Sequence, residues 1–105
     1  MTDRRRLPHR RRSETFNVEC SGLHYTVTAS WFDSGELGEI WVQNGKIGSA
    51  ADAYVRDASM LASIALQRDA TIDEIRKSLM RDARGNPSSP LGTALDLLAD
   101  KEVAP

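Results

Sequence analysis

The chain has 105 residues, of which 40% are hydrophobic and 28% are charged, and its formal net charge at pH 7 is −1. This length allows one compact domain and excludes two, and the composition is typical of a globular protein rather than of a disordered one. The longest apolar stretch is far shorter than the roughly 20 residues of a membrane-spanning helix, and a single cysteine excludes an internal disulfide, so we expect a cytoplasmic protein.

The first twelve residues are rich in arginine and offer almost no apolar surface. They contain six arginines and one acidic residue, whereas the rest of the chain is acidic. Because such a segment cannot build a core, we predict a flexible arm over residues 1–12. The default interpretation is a solvated tail. The alternative is contact with a partner or with phosphate, which guanidinium groups pair with bidentately, through Arg4, Arg5, Arg6, Arg10, Arg11 and Arg12.

The next residues alternate between apolar and polar side chains, which predicts three β-strands. In ETFNVEC, Phe16, Val18 and Cys20 share one face, and LHYTVTASWF and LGEIWVQ repeat the alternation. Ser21-Gly22 and DSGE form short turns between these strands. Strands joined by such short turns predict an antiparallel meander.

Cys20 and His24 flank the first turn and therefore suggest a thiolate–imidazole pair. A two-residue turn, however, pairs Cys20 with Leu23 and places His24 opposite Glu19, on the other face from the thiol. We therefore interpret Cys20 as a core residue and His24 as a surface residue, and we expect no catalytic residues. The histidines and the cysteine also lack the spacing of a zinc site, so we expect neither metal nor cofactor.

After Asn44 the apolar period changes to that of α-helices. One helix face is predicted to lie on the sheet, and it comprises Tyr54, Ala58, Leu61 and Ala65, with Val55, Ala62 and Leu66 beside them. A second helix is predicted to begin with Thr71 and to end at Gly85, and a third to begin at Ser89-Pro90. The predicted fold class is α+β, a three-stranded antiparallel meander followed by about three helices packed on one face. A single domain would span residues 13–100, with a tail at 101–105.

The stretch KIGSAAD lies between the third strand and the first helix. Ser49 is suited to be the N-cap residue and Asp52 to be the third helical residue, so each side chain can satisfy the other's backbone amide in a capping box. The carboxylate would also lie at the positive end of the helix. We therefore expect Gly48, Ser49 and Asp52 to form a helix cap.

Three segments carry a resemblance to a known family: LPHRRRSETF, GEIWVQNGKIGS and the more specific run from Arg56 to Asp96. The chain resembles the TSCPD domain, the small C-terminal domain of adenosylcobalamin-dependent (class II) ribonucleotide reductases, which also occurs as short free-standing proteins. Ser49 and Asp52 match the Thr-Ser-Cys-Pro-Asp motif, but Ala50 and Ala51 stand where the family has Cys and Pro. No metal or redox role of that cysteine carries over to this chain.

The resemblance implies a link to ribonucleotide reductase and to deoxyribonucleotide synthesis. Ribonucleotide reduction requires a large barrel with a radical cysteine, a reducing cysteine pair and a cobalamin-binding surface, which this chain cannot supply. We therefore predict an accessory or binding module without catalysis of its own. Its partner would be a reductase or a related protein, and a homodimer is a further option.

Two other functions remain open from the sequence. A nucleic-acid-binding module would use the arginine-rich arm and the sheet face with Trp31 and Trp41, although Asp52 and Asp57 at the helix start would repel phosphate. A small enzyme would use Cys20 or His24, which the predicted strand pairing disfavours.

Overall fold

In the computed structural model, which describes residues 3–100, three strands precede three helices. The elements in chain order are β1 (Ser13–Cys20), β2 (Leu23–Trp31), β3 (Leu37–Asn44), α1 (Ala50–Gln67), α2 (Ile72–Ser78) and α3 (Pro90–Ala99). The strands form one antiparallel sheet in the order β1-β2-β3. These elements confirm the predicted α+β fold. The predicted tail at 101–105 lies outside the described residues.

The turn between β1 and β2 fixes the register of the first hairpin. Ser21 and Gly22 both have positive φ, which matches the twist of a tight two-residue hairpin. Cys20 therefore pairs with Leu23, as the sequence predicts. The alternation along the strands then places the apolar side chains on the face that the helices cover.

The hydrophobic core lies between the sheet and the helices. Its best-buried members come from β2 and β3 and from the helices: Val27, Ala29, Trp31, Leu37, Ile40, Val42, Leu66, Ala94, Leu95 and Leu98. Trp31 is thus a core residue and not an exposed stacking platform. Within residues 3–100, none of the helices has both the length and the apolar character needed to cross a bilayer.

The face of α1 that contacts the sheet agrees only in part with the predicted one, because Val55, Ala62 and Leu66 are buried as predicted but two other residues of the predicted face are not. Tyr54 and Leu61 are 74% and 69% exposed. The buried residues of α1 are instead Asp52, Val55, Ser59, Ala62, Ser63, Leu66 and Gln67. The prediction was wrong for Tyr54 and Leu61 because the helix buries several short polar side chains in their place, and a search for apolar residues at helical spacing passes over such side chains.

These polar side chains bond to the free edge of β3. The hydroxyl oxygen of Ser59 accepts the N–H of Val42 at 2.9 Å, and that of Ser63 accepts the N–H of Ile40 at 3.0 Å. The Ser63 hydroxyl also donates to the carbonyl oxygen of Ile40 at 2.8 Å. An unpaired strand edge is prone to aggregation and costly to bury, so α1 satisfies this edge in place of a fourth strand.

The second helix is shorter than predicted. Thr71 and Glu74 form the predicted capping box, but α2 ends at Ser78 and not at Gly85. Leu79 is already extended, and the residues up to Gly85 include a turn in which the Asp82 carboxylate accepts the N–H groups of Arg84 and Asn86, both at 2.9 Å. The third helix begins at Pro90 with Ser89 as its N-cap, as the sequence predicts.

Candidate functional site

The turn before α1 combines a glycine in the left-handed region with a serine cap. Gly48 has a φ of 82°, a conformation that L side chains rarely adopt. The hydroxyl of Ser49 accepts the N–H of Asp52 at 3.1 Å and donates to the carbonyl oxygen of Lys46 at 2.8 Å. The turn thus satisfies one of the unpaired amide groups at the start of α1.

The carboxylate of Asp52 does not close the predicted capping box. It is buried, and it accepts the N–H of Asn44 at 3.0 Å and the guanidinium Nε of Arg56 at 2.8 Å. The N–H of Ser49 bonds to the carbonyl oxygen of Lys46 instead, at 3.2 Å. Burial by itself raises the pKa of Asp52, but the bonds from Asn44 and Arg56 outweigh it and hold the pKa below its usual value. Asp52 therefore ties the end of β3 to the start of α1.

Alanine substitutions in this turn should distinguish the contribution of the Ser49 cap to stability from that of the hydrogen bonds that Asp52 accepts. We expect Ser49→Ala to lower the free energy of unfolding by about 1 kcal/mol, the usual effect of a lost N-cap. Asp52→Ala should lower it more, because it leaves the buried N–H of Asn44 without its partner. Urea denaturation of the two variants measures the ranking. A smaller loss of unfolding free energy for Asp52→Ala than for Ser49→Ala would show that the hydrogen bonds of Asp52 contribute little to stability.

Several arginines of the N-terminal segment contact the domain. The Arg5 guanidinium lies 4.0 Å from the centre of the Phe32 ring and within 3.4 Å of Glu36, and the Arg12 guanidinium lies 4.1 Å from the centre of the Trp31 ring. The N–H of Trp31 also donates to the carbonyl oxygen of Arg12 at 3.0 Å. These contacts do not test whether residues 1–12 are flexible, so the flexible arm stays a prediction. The contacts show that part of this segment has partners on the domain.

The same segment lines a concave, positively charged space that we call the basic hollow. It has a volume of about 550 Å³, and its charged lining residues are Arg4, Arg5, Arg6, Arg11 and Glu39, with His9 beside them. Arg11 forms an ion pair with Glu39 at 3.3 Å. Arg6, like Arg10 outside the hollow, forms no hydrogen bond or ion pair with residues 3–100. The arrangement can attract an anion.

The exposed side of α1 forms a second surface of interest. Two of the residues predicted to lie on the sheet, Tyr54 and Leu61, are exposed here, and Ala58 and Ala65 beside them are half-buried. We call these four residues the apolar helix face. Beside it is an apolar hollow of about 290 Å³, lined by Ala58, Leu61, Ala62, Ala65, Ile75, Leu79 and Leu91. Exposed apolar surface of this kind is typical of contact with another protein.

Cys20 and His24 lie where the strand pairing predicts. The His24 imidazole is within 3.2 Å of the Glu19 carboxylate on the exposed face, and Cys20 packs at the margin of the core on the other face. The thiol and the imidazole are therefore not brought together. Among residues 3–100, no group of three or more His, Cys, Asp or Glu side chains is arranged to hold a metal ion.

An arginine–aspartate cluster that was not predicted from the sequence joins α2, the following loop and α3. Asp96 accepts two hydrogen bonds from Arg81, at 2.7 and 2.9 Å, and one from Arg76 at 3.0 Å. Arg81 also donates to the carbonyl oxygens of Arg76 and Gly85. The cluster fixes the loop between α2 and α3. No local spacing of residues in the sequence predicts this cluster.

Comparison with known proteins gives one informative similarity. No protein-family model matches the chain, and no solved structure matches it significantly. The chain is 28% identical over 74 residues to a vitamin B12-dependent ribonucleotide reductase from Bradyrhizobium diazoefficiens. The match covers 70% of this chain but only 6% of that enzyme. The chain is thus similar to one small region of a ribonucleotide reductase.

Proposed function

We propose that this chain is a TSCPD-like module that binds a ribonucleotide reductase or a related protein and serves deoxyribonucleotide synthesis without catalysis of its own. The observation that carries the proposal is the similarity over 74 residues to a region of a vitamin B12-dependent ribonucleotide reductase. A domain within a reductase chain is held beside the rest of that enzyme. A related domain is therefore expected to fit the same surroundings.

The non-catalytic role is supported by the chemistry that the chain carries. Ribonucleotide reduction uses several cysteines, one as a radical and two as a reducing pair, whereas these 105 residues contain one. Cys20 is half-buried and lies on the opposite face of the sheet from His24. A nucleophile needs a base within hydrogen-bond reach, and this placement does not provide one.

The apolar helix face is the surface that best fits a protein partner. Leu61 is 69% exposed and lines the apolar hollow between α1 and the residues that follow it, so a partner side chain can be buried there. Tyr54 is 74% exposed one turn before Ala58 on the same face. Large apolar and aromatic side chains around a hollow commonly dominate the binding energy of a protein interface.

Co-purification with a vitamin B12-dependent ribonucleotide reductase from which the region similar to this chain has been removed tests the proposal. We expect the tagged chain to retain the reductase, and we expect Leu61→Asp to weaken binding at least about tenfold, because it places a charge in the apolar hollow. Leu23→Asp is the matched control, since Leu23 is a half-exposed leucine of the first hairpin.

The two variants have distinct consequences for the proposal. Failure of the unaltered chain to retain any reductase would overturn the proposed partner. Equal weakening by Leu61→Asp and Leu23→Asp would instead remove the apolar helix face as the contact surface. Thermal unfolding of both variants shows whether either change acts through the fold.

A further inference from the structure

We propose that the basic hollow binds a compact polyphosphate group, such as the phosphate chain of a nucleoside triphosphate. The site is separate from the apolar helix face, and the inference does not depend on the proposed reductase partner. It rests on the charge of the hollow, on the way its side chains are held and on its concave shape.

The side chains that line the hollow carry a net positive charge. Four arginines line it, and Glu39 is its single acidic lining residue. Arg5 is paired with Glu36 and Asp69 outside the lining, at 3.4 and 3.2 Å. Arg6, by contrast, has no hydrogen bond or ion pair with residues 3–100. An anion in the hollow would therefore supply a partner for a guanidinium that the described protein leaves unpaired.

The floor of the hollow is built around a buried glutamine. The Gln67 side chain, in a residue only 5% exposed, donates to the carbonyl oxygen of Gly38 at 2.9 Å. Its amide oxygen accepts the Nε–H of Arg4 at 2.5 Å, and its backbone oxygen accepts the N–H of Arg5 at 2.6 Å. The bond to Arg4 uses Nε, so the terminal amino groups of that guanidinium take no part in it. The end of α1 thus positions Arg4 while leaving its terminal donors for a ligand.

A second arginine is also held in place at the wall. Arg11 donates to the carbonyl oxygen of Pro8 at 2.8 Å and pairs with Glu39 at 3.3 Å. These two bonds restrict the positions that the Arg11 guanidinium can take before a ligand arrives. Donors positioned before binding reduce the entropy that binding costs.

The shape favours a compact ligand with several adjacent negative charges. Four arginines line one concave volume of about 550 Å³, and a guanidinium group can form paired hydrogen bonds to phosphate oxygens. A single carboxylate would satisfy only one of them. A nucleic-acid strand would instead use a row of cations and open aromatic rings. Here Arg10 and Arg12 lie outside the hollow lining, and Trp31 is buried beneath the guanidinium of Arg12.

Calorimetric titration of the full chain with inorganic tripolyphosphate at low ionic strength tests the inference. We expect saturable binding that weakens as salt is added, and a loss of about tenfold in affinity in Arg6→Gln. Arg10→Gln is the matched control, because it removes the same charge from the same segment outside the hollow. The control should bind within about twofold of the unaltered chain. Neither arginine has a hydrogen bond or ion pair with residues 3–100, so both variants should keep the melting temperature.

Two further ligands define the chemistry of the site. ATP binding as tightly as tripolyphosphate would assign recognition to the phosphate chain, and tighter ATP binding would add a contact to the nucleoside; either result supports the site. Absence of saturable tripolyphosphate binding would overturn it, as would equal losses in Arg6→Gln and Arg10→Gln. A single-stranded oligonucleotide that binds more tightly than tripolyphosphate and is weakened equally by both changes would show an extended nucleic-acid surface instead.

Discussion

Replacing Ser63 by alanine is expected to lower the free energy of unfolding by about 2–3 kcal/mol. The Ser63 hydroxyl is buried and satisfies both backbone groups of Ile40 on the free edge of β3, the N–H at 3.0 Å and the carbonyl oxygen at 2.8 Å. Alanine leaves both groups without a partner under α1, where water has little access. Each unsatisfied buried polar group is costly, so the effect should exceed that of an ordinary lost hydroxyl.

The matched control for this prediction is Ser78→Ala. The Ser78 hydroxyl donates to the carbonyl oxygen of Glu74 on an exposed part of α2, so its loss should change stability by no more than about 0.5 kcal/mol. Chemical denaturation of both variants measures the difference. Similar small losses for the two serines would show that water replaces the Ser63 hydroxyl and that the β3 edge does not depend on α1.

The second large effect is expected from Asp96→Asn and should depend on pH. The hydrogen bonds from Arg81 lower the pKa of Asp96, burial acts in the opposite direction, and Arg76 lowers it further, to about 2 from the usual 3.8. The carboxylate stabilises the fold above pH 3.8, and this contribution is lost as the pH falls toward 2. We expect Asp96→Asn to cost on the order of 1–2 kcal/mol at neutral pH, allowing for the partial exposure of the cluster.

Stability curves between neutral pH and pH 2 check this second prediction. The gap between Asp96→Asn and the unaltered chain should narrow as the pH falls through this acidic range. Asp73→Asn is the control, because Asp73 also pairs with Arg76 but its side chain is 58% exposed. Curves for Asp96→Asn that run parallel to the unaltered chain down to pH 2 would mean that the arginine–aspartate cluster contributes no pH-dependent stability.

The sheet could be predicted from the sequence because one of its faces is buried and the other is not. That difference imposes an alternation that is visible in β1, β2 and β3, and the turn residues Ser21 and Gly22 then set the register. The contact face of α1 could not be found in the same way. Its buried residues include Ser59 and Ser63, whose burial is explained by the backbone edge of β3 rather than by apolar character.

In the candidate sites, too, local sequence predicts some single residues but not their partners from distant segments. The capping position of Ser49 follows from local sequence, whereas the partner of Asp52 is Asn44, which the chain brings close only when β3 and α1 pack. The arginines of the basic hollow are evident in the sequence. Their arrangement is not, because it depends on Gln67 at the far end of α1. The features that could not be predicted from the sequence therefore depend mostly on contacts between distant segments of the chain.

An equilibrium titration against the Bradyrhizobium diazoefficiens enzyme tests whether this chain is a module for a ribonucleotide reductase. One form of that enzyme should be intact, and the other should lack the region that matches this chain over 74 residues. We expect tighter binding to the form that lacks the region, because on our proposal that region occupies the same contact surface in the intact enzyme. Absence of binding to both forms would show that this chain is not such a module.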